Sequence, residues 1–571
     1  MAKKRIIIVG GVAGGASAAA RARRLSEEAE IIMFERGEHI SFANCGMPYY
    51  LGGVIPDRKR LLVQTPESLF RRFRIDVRIK TKVIHINRER KEVTVLESSS
   101  GKEYLESYDE LILSPGAQPV QLTIPGIENK RVFSLRTMGD MDKIKEIVDS
   151  SKLSKAVVAG AGYIGLEITE ALWKRNIEVT LVELAPQVMI TADPEMMAPI
   201  KQQLTLHGID LHLNTSIMRI HEEADNLKVI LSTGDTILCG CVILSVGVRP
   251  EVMLAKEAGL EIGEHGGIVV DEHMRTNDPH IYAVGDAVEV TDFVGEFKTL
   301  IPLAGPANRQ GRIAADNVLG RLSTYKKTQG TAICKVFDLT IGMTGLNEKT
   351  LKRVSIPYEK VYVHPANHAT YYPGASPISL KLLFDPENGN ILGAQAVGAD
   401  GVDKRIDVLA VALRAGMTVL DLEHLELSYA PPYGSAKDVV NYAGFVASNV
   451  LRGDMKICHF KDIVNPRDDQ FLLDVRTNRE VEAGTIPGAY NIPIDEFRDR
   501  LEELSRNKEL LVFCQTGVRS YLAARILSQH GFKCRNLTGG YKTYIAFTDS
   551  LPKPELSEKD MHEDTGEFIS I

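Results

Sequence analysis

No stretch of this 571-residue chain approaches the roughly 18 uninterrupted apolar residues of a membrane-spanning helix, so nothing in it is expected to cross a bilayer. The N-terminus, MAKKRIIIVGG, passes from a short basic start straight into a strand pattern, with no room for the apolar region and cleavage site of a signal peptide. A cytoplasmic protein is expected. The seven cysteines include no CxxC pair and no regular spacing, which argues against a disulfide framework and against a zinc site. A net charge of −7 gives no reason to expect nucleic acid as a partner. Hydrophobic content of 44% and charged content of 25% are those of soluble globular proteins, and the length implies about three or four domains.

What is present is a glycine-rich turn, twice. Residues 5 to 36 read as a βαβ unit: the strand RIIIVG, a turn, the helix ASAAARARRLSEE and the strand EIIMFE ending at Glu35. Gly10 and Gly15 hold the outer positions of GxGxxG and Val12 replaces the middle glycine, with Gly11, Ala13 and Gly14 completing the turn. Residues 155 to 183 repeat the arrangement, with Gly160, Gly162 and Gly165 matching in full, Tyr163 and Ile164 between them, and Glu183 at the end of the second strand. Such a turn lets pyrophosphate oxygens accept from backbone N–H groups at a helix N-terminus, while the strand-end carboxylate binds ribose hydroxyls. Glu183 would repel a 2′-phosphate, which favours NADH over NADPH without removing the latter.

Two such units, followed by TNDPHIYAVGDAVE at 276 to 289, resemble the two-dinucleotide-binding flavoprotein disulfide reductases over roughly residues 1 to 448. The resemblance implies an α/β chain whose first Rossmann-like domain holds FAD and whose second holds NAD(P)H. It also implies an α+β dimerisation domain, a homodimer, and active sites shared between subunits. Asp286 of the VGDA segment is expected at the flavin, with Gly285, Arg36, Pro115 and Gly116 of SPGAQP, Gly247, Pro302 and Ala304 as further cofactor-binding candidates.

Dithiol members of that family carry two cysteines five positions apart; here SFANCGMPYY offers Cys45 alone. A lone thiol beside a flavin cycles through a mixed disulfide with a small thiol or through a sulfenic acid. SFANCG followed by PYY resembles the coenzyme A disulfide reductases. Ser41 and Asn44 are placed to hydrogen-bond the thiolate or the substrate, and a helix N-terminus nearby is expected to favour the anion. Coenzyme A carries phosphates, for which Arg21 and Arg24 on the first helix and Arg71 farther on are candidate partners, with solvated helix faces as the plain alternative. The other cysteines read differently: Cys239 and Cys241 form a CxC in an apolar strand pattern and read as core, and Cys334, Cys458 and Cys534 lack activating neighbours.

Asn388-Gly389 marks a hairpin in the segment from 326 onward. By resemblance, Tyr371 of HATYYPG and Tyr429 of LSYAPPY approach the partner subunit's Cys45, with Tyr372 and Tyr433 as rivals; a phenol there can protonate a departing thiolate. From about 456 to 547 the motifs FLLDVRTNREVEAGTIPGAYNIP, LLVFCQTGVRS and NLTGGYKTY resemble the rhodanese sulfurtransferases. There Cys514 ends a buried strand, the turn after it gathers N–H groups on the sulfur, and Arg519 follows five positions on.

The domain boundaries drawn are 1–150 with 277–325 for FAD, 151–276 for NAD(P)H, 326–450 for dimerisation, 456–550 for the C-terminal α/β rhodanese domain, and 551–571 for a polar, disordered tail. The whole resembles coenzyme A disulfide reductase–rhodanese fusions, which implies NAD(P)H-dependent reduction of a coenzyme A disulfide, coenzyme A persulfide or polysulfide through Cys45, with Cys514 carrying sulfur. Alternatives are an NADH oxidase or peroxidase cycling through a Cys45 sulfenic acid, and a flavin-binding redox sensor.

Overall fold

The computed structural model describes residues 4–150 and 153–550; the tail expected at 551–571 lies outside the described residues. The first βαβ unit forms as read. Arg5–Val9 pairs in parallel with Glu30–Phe34, Ile6 opposite Ile31 and Val9 opposite Phe34. These strands sit at the centre of a five-stranded parallel sheet ordered Ile281–Ala283, Glu110–Leu113, Arg5–Val9, Glu30–Phe34, Asp76–Arg78. The continuous runs IIIV and IIMF are what a strand buried on both faces requires, and Ile6, Ile7, Ile8, Ile31 and Ile32 are all buried. The Ala13–Leu25 helix turns its alanines to this sheet, and the Ala304–Val318 helix crosses it so closely that a Cβ on Gly311 would lie 2.2 Å from the Gly14 carbonyl oxygen.

A second five-stranded parallel sheet runs Asp210–His212, Glu178–Val182, Lys155–Ala159, Cys241–Leu244, Val132–Ser134. Its edge strand moves the boundary drawn at 150, because Val132–Ser134 pairs with Val242, Ile243 and Leu244. The boundary drawn at 277 moves too, since Ala255, Leu260, Ile268, Val270 and Met274 already pack in the core of the first domain. A strand as short as VFS carries no period that assigns it to one sheet or the other; only the pairing decides. The CxC is also corrected. Cys239 ends a strand of a three-stranded antiparallel sheet opposite Leu227, whereas Cys241 begins a strand of the parallel sheet opposite Ala156. Both are buried, as expected, but the chain changes sheets at Gly240, where a Cβ would meet the Leu153 side chain at 2.6 Å.

The third domain is a five-stranded antiparallel sheet ordered Ala332–Val336, Leu339–Gly345, Ile391–Gly398, Ser379–Phe384, Glu359–Val363. The hairpin marked by Asn388-Gly389 joins Ser379–Phe384 to Ile391–Gly398, with Gly389 at φ +74° and Asp385 accepting from the Glu387 and Asn388 N–H groups. From Arg452 the chain belongs to a second compact unit. Its five parallel strands run Ile457–Cys458, Cys534–Leu537, Glu509–Phe513, Gln470–Asp474, Tyr490–Asn491. Among the described residues no helix is long and apolar enough to cross a membrane.

The two turns share a constraint. A Cβ on Gly15 would lie 1.9 Å from the Gly10 carbonyl oxygen, and one on Gly165 the same distance from that of Gly160, whereas one on Gly162 meets nothing within 4 Å. Gly165→Ala is therefore expected to cost about 1–3 kcal/mol through overpacking. Gly162→Ala is expected to leave the melting temperature within a degree or so of the parent, since no atom must yield; equal losses in thermal denaturation would refute this.

Candidate functional site

Each glycine turn is clamped by the carboxylate at the end of the next strand. Glu35 accepts from the Gly11 N–H at 3.0 Å and from the Gly37 N–H at 2.8 Å, and Glu183 does the same for Ala161 at 2.6 Å and Ala185 at 2.8 Å. A carboxylate has about four acceptor directions, so each keeps capacity for ribose hydroxyls after fixing its own turn. The open space at Gly162 leaves room for a phosphate to approach the backbone. Ile164, 42% exposed beside it, offers an apolar surface to a ring.

Whether the first domain fits FAD is tested by its charges. Asp286 occupies the 3-10 turn Gly285–Ala287, where burial pushes its carboxyl up and the Arg136 guanidinium opposes that rise. Arg136 is desolvated enough to lower its own pKa, has Asp286 and Glu35 within electrostatic reach, and makes no hydrogen bond among the described residues. A desolvated cation without an acceptor beside a dinucleotide turn suits a pyrophosphate, so the residues fit an anionic dinucleotide. Sequence reading missed Arg136; it lies in FSLRTMGD, with no motif around it. Gly285 donates to Gln310 at 2.7 Å, Gly116 takes φ +74° beside the Arg136 guanidinium, and Gly247 accepts from the Val120 N–H. Pro302 is exposed and Ala304 opens the Ala304–Val318 helix. Arg36 stands at the rim, paired with Glu251 at 3.3 Å.

Cys45 is carried by a strained segment. Ser41, not a glycine, sits at φ +43°; its N–H donates to the Gly11 carbonyl at 2.7 Å and its own carbonyl accepts from Val63 at 3.0 Å. The 3-10 turn Asn44–Gly46 follows and runs straight into the Met47–Leu51 helix, leaving Cys45 exposed. The expected activation by that helix is not what this geometry produces. One turn and a half of helix is a weak dipole, and the Asn44 amide oxygen accepts from the Cys45 N–H at 3.1 Å and from the thiol at 3.7 Å, which favours the protonated sulfur. Partial desolvation by its surroundings first, then the Glu167 carboxylate and Asp286, push the thiol above its ordinary value. Glu167, on the Tyr163–Trp173 helix, is itself pushed up by burial and accepts from the Tyr49 hydroxyl at 3.1 Å. It was not singled out from sequence, although GYIGLE carries it one turn after the glycines.

The arginine candidates separate. Arg21 is held by Asp316 at 2.6 Å, and Arg23 between them spends its guanidinium on the Phe73, Ser26, Glu27 and Arg74 carbonyls. Arg24, over the Phe73 ring, and Arg71, at the end of the Pro66–Phe73 helix, are exposed. Tyr371 and Tyr429, 58 residues apart in sequence, join hydroxyls at 2.9 Å on an exposed face, which pushes the Tyr371 phenol up. Tyr372 packs edge-on against His368, while Tyr433 is 71% exposed.

Cys514 is housed in the opposite manner. It is buried at the end of Glu509–Phe513, where the Gly517 N–H donates to its sulfur at 3.2 Å and the Ser520 hydroxyl at 3.4 Å. Gly517 takes φ +98° to aim that N–H, and Tyr541 and Lys542 donate backbone N–H groups to the Cys514 and Gln515 carbonyls. Arg519 forms a two-pronged pair with Glu480 at 2.6 and 2.7 Å. Glu480 was not singled out from the sequence; it caps the Asn478–Glu482 helix with Thr477.

The model of the pyridine nucleotide-disulphide oxidoreductases matches residues 4–311, that of their dimerisation domain residues 331–438, and that of rhodanese-like domains residues 460–546. Coenzyme A disulfide reductase of Staphylococcus aureus is 38% identical over 444 residues, which is 78% of this chain and 99% of that protein. The structure of reduced Bacillus anthracis CoADR-RHD superposes with a TM-score of 0.93 at 51% identity, covering 96% of this chain and 98% of its own. An NAD-dependent persulfide reductase from A. fulgidus gives 0.88 at 37%, covering 95% and 100%. A water-forming NADH oxidase from Lactobacillus brevis gives 0.76 at 28%, covering 79% and 100%.

The carboxylate beside Cys45 has a measurable effect. Glu167→Gln removes one of the causes that raise the thiol's pKa, so more thiolate is present at pH 7.5. Iodoacetamide alkylation of Cys45 in the NADH-reduced protein is expected to quicken at least about threefold, because the thiolate is the reacting species. An unchanged rate would show that Glu167 does not act on the sulfur.

Proposed function

The chain belongs to the pyridine nucleotide-disulphide oxidoreductase family, and from that premise we propose that its single exposed thiol, Cys45, opens the sulfur–sulfur bond of a coenzyme A disulfide, coenzyme A persulfide or polysulfide at the expense of NADH. The chain is an FAD-dependent reductase of the coenzyme A disulfide and persulfide reductase type joined to a rhodanese domain. One observation carries the assignment to Cys45: it is the exposed cysteine, it is unpaired, and its electrostatic neighbours are Glu167 of the NAD(H) domain and Asp286 of the FAD domain. The NADH oxidase reading has weaker support, resting on a more distant neighbour that covers 79% of the chain.

FAD, when bound, relays the two electrons of NADH to sulfur. The chain's own residues do the rest. Gly10, Gly11, Val12, Ala13, Gly14, Gly15, Glu35 and Arg136 would hold the flavin nucleotide, with Asp286 at its side, and Gly160, Gly162, Gly165 and Glu183 the NAD(H). Cys45 thiolate attacks the coenzyme A sulfur of the persulfide, the S–S bond breaks, and hydrosulfide departs, leaving a Cys45–coenzyme A disulfide. In sum, that disulfide, NADH and a proton yield two thiols and NAD+. Exposed Arg24 and Arg71, with Ser41 and Asn44 beside the sulfur, make up the coenzyme A candidates; Arg21, already paired, contributes through its remaining N–H groups. The Tyr371–Tyr429 pair, on a domain of the dimerisation type, would reach the partner subunit's site and supply the proton for the departing sulfur. A cytoplasmic location fits the seven cysteines, all free.

Cys514, its sulfur accepting from the Gly517 N–H and the Ser520 hydroxyl, carries sulfane sulfur. Tethering it to the reductase raises the local concentration of the intermediate they share. Cys45→Ser is expected to cut NADH-dependent sulfide release from coenzyme A persulfide by at least about 10³-fold, the order seen when a covalent nucleophile is removed. Cys514→Ser is expected to leave that rate within about threefold when the persulfide is supplied preformed, because no sulfur transfer is then needed; sulfide release surviving in Cys45→Ser would exclude the mechanism.

Donor preference follows from Glu183. Its charge disfavours a 2′-phosphate, so Glu183→Ala should raise the NADPH-to-NADH ratio of kcat/KM by about tenfold or more. A ratio that does not move would place discrimination elsewhere.

A further inference from the structure

The Cys514 loop is flanked by two guanidiniums, and both are already engaged. Arg476, 2% exposed, binds Asp474 through Nε at 3.1 Å and Nη2 at 2.7 Å, donates to the Gly484 carbonyl at 2.8 Å and to Gln515 at 3.3 Å, and stacks over Tyr541 at 4.1 Å. Arg519 sits at the mouth, its side chain 33% exposed; its Nη1 and Nη2 both go to Glu480, 31% exposed, and the guanidinium also lies within reach of the Cys514 sulfur. Glu480 is fixed in turn by the Thr477 N–H at 3.0 Å and hydroxyl at 2.9 Å, and this company holds its carboxyl down at about 2, so it stays charged. Lys542, next along the loop's backbone bonds, is desolvated enough to disfavour its charge.

A donor entering this mouth therefore meets a closed ion pair in place of a free cation. A small dianion would have to displace Glu480 from Arg519 or sit beside an uncompensated carboxylate, and like charges at that range repel. An organic persulfide presents a terminal sulfur with a proton or at most one charge, and needs no cation. We infer that Cys514 takes its sulfane sulfur from an organic persulfide and discriminates against small dianionic donors, with Glu480 as the residue that sets this choice by occupying Arg519. The step is redox-neutral: Cys514 thiolate attacks the terminal sulfur of R–S–SH, the S–S bond breaks, RSH leaves with the proton, and Cys514–S–S⁻ remains. The inference rests on the reading of Cys514 as a sulfur carrier.

The test uses the full chain with Cys45→Ser, without NADH, and reads thiocyanate formed when cyanide removes the sulfane sulfur. Glutathione persulfide and thiosulfate serve as the monothiol and dianionic donors, with Cys514→Ser as the blank. The parent is expected to favour the persulfide, and Glu480→Gln, isosteric and still able to cap its helix, to raise the thiosulfate-to-persulfide ratio of kcat/KM at least about tenfold by freeing one charge. A parent that prefers thiosulfate, or a ratio unmoved in Glu480→Gln, overturns the inference. The double variant Glu480→Gln with Arg519→Gln checks it independently: a ratio within threefold of the parent supports a silent ion pair, and a tenfold fall shows that Arg519 recruits the dianion after all. Thiocyanate from neither donor, or undiminished in Cys514→Ser, overturns the carrier reading along with it.

Discussion

The hydrogen bond from the Ser41 N–H to the Gly11 carbonyl is the joint between the dinucleotide turn and the reactive sulfur. Gly11 belongs to a turn that close packing leaves no freedom, for a Cβ on it would strike Ile40 at 2.7 Å, and its own N–H is held by Glu35. Ser41 accepts a left-handed conformation that a non-glycine residue adopts only under compulsion. Three positions later the chain is already in the turn that exposes Cys45. Placement of the thiol is thus inherited from placement of the nucleotide, and a strained backbone is the link.

That inheritance explains which parts of the protein were legible in its residues. Backbone constraints write themselves into sequence as glycines at fixed spacing and apolar runs at fixed length, so both dinucleotide units, the hairpin at Asn388-Gly389 and the strand-turn-helix at Cys514 could be read directly. Cys45 and Cys514 stood out because the residues around them, SFANCG followed by PYY and LLVFCQTGVRS, resemble those of known families. Charges brought together by tertiary folding leave no such trace. Arg136 reaches Asp286 across 150 positions, Glu167 approaches Cys45 across more than a hundred, and Glu480 meets Arg519 across 39. Nor did the sequence announce where a chain passes between sheets: Val132–Ser134 and the break at Gly240 are decided by pairing with strands far away.

The two cysteines illustrate how the same atom is adapted to different work. Cys45 is exposed, with carboxylates as its charged neighbours and an amide oxygen facing its hydrogen, a setting that keeps the thiol protonated until something more favourable to the anion is bound. Cys514 is buried, with the Gly517 N–H and the Ser520 hydroxyl donating to its sulfur and the Arg519 guanidinium within reach, a setting that accommodates negative charge there. A nucleophile whose anion depends on bound partners spends little time reactive in their absence, which limits wasteful oxidation of an exposed thiol. A carrier must instead stabilise a charged terminal sulfur on its own between donor and acceptor.

Neutralising Arg519 is consistent with that second requirement. A free guanidinium at the mouth would attract any anion in the solution, and in a loop this small a bound anion blocks the sulfur it is meant to leave behind. Glu480 removes that attraction while leaving the Gly517 N–H and the Ser520 hydroxyl, whose dipoles act only over hydrogen-bonding distance, to hold the carried sulfur. Selectivity then comes from what the mouth declines to bind. In one chain, the same economy of charge appears twice: at Cys45 carboxylates defer the anion, and at Cys514 a carboxylate cancels the cation that would otherwise invite the wrong one.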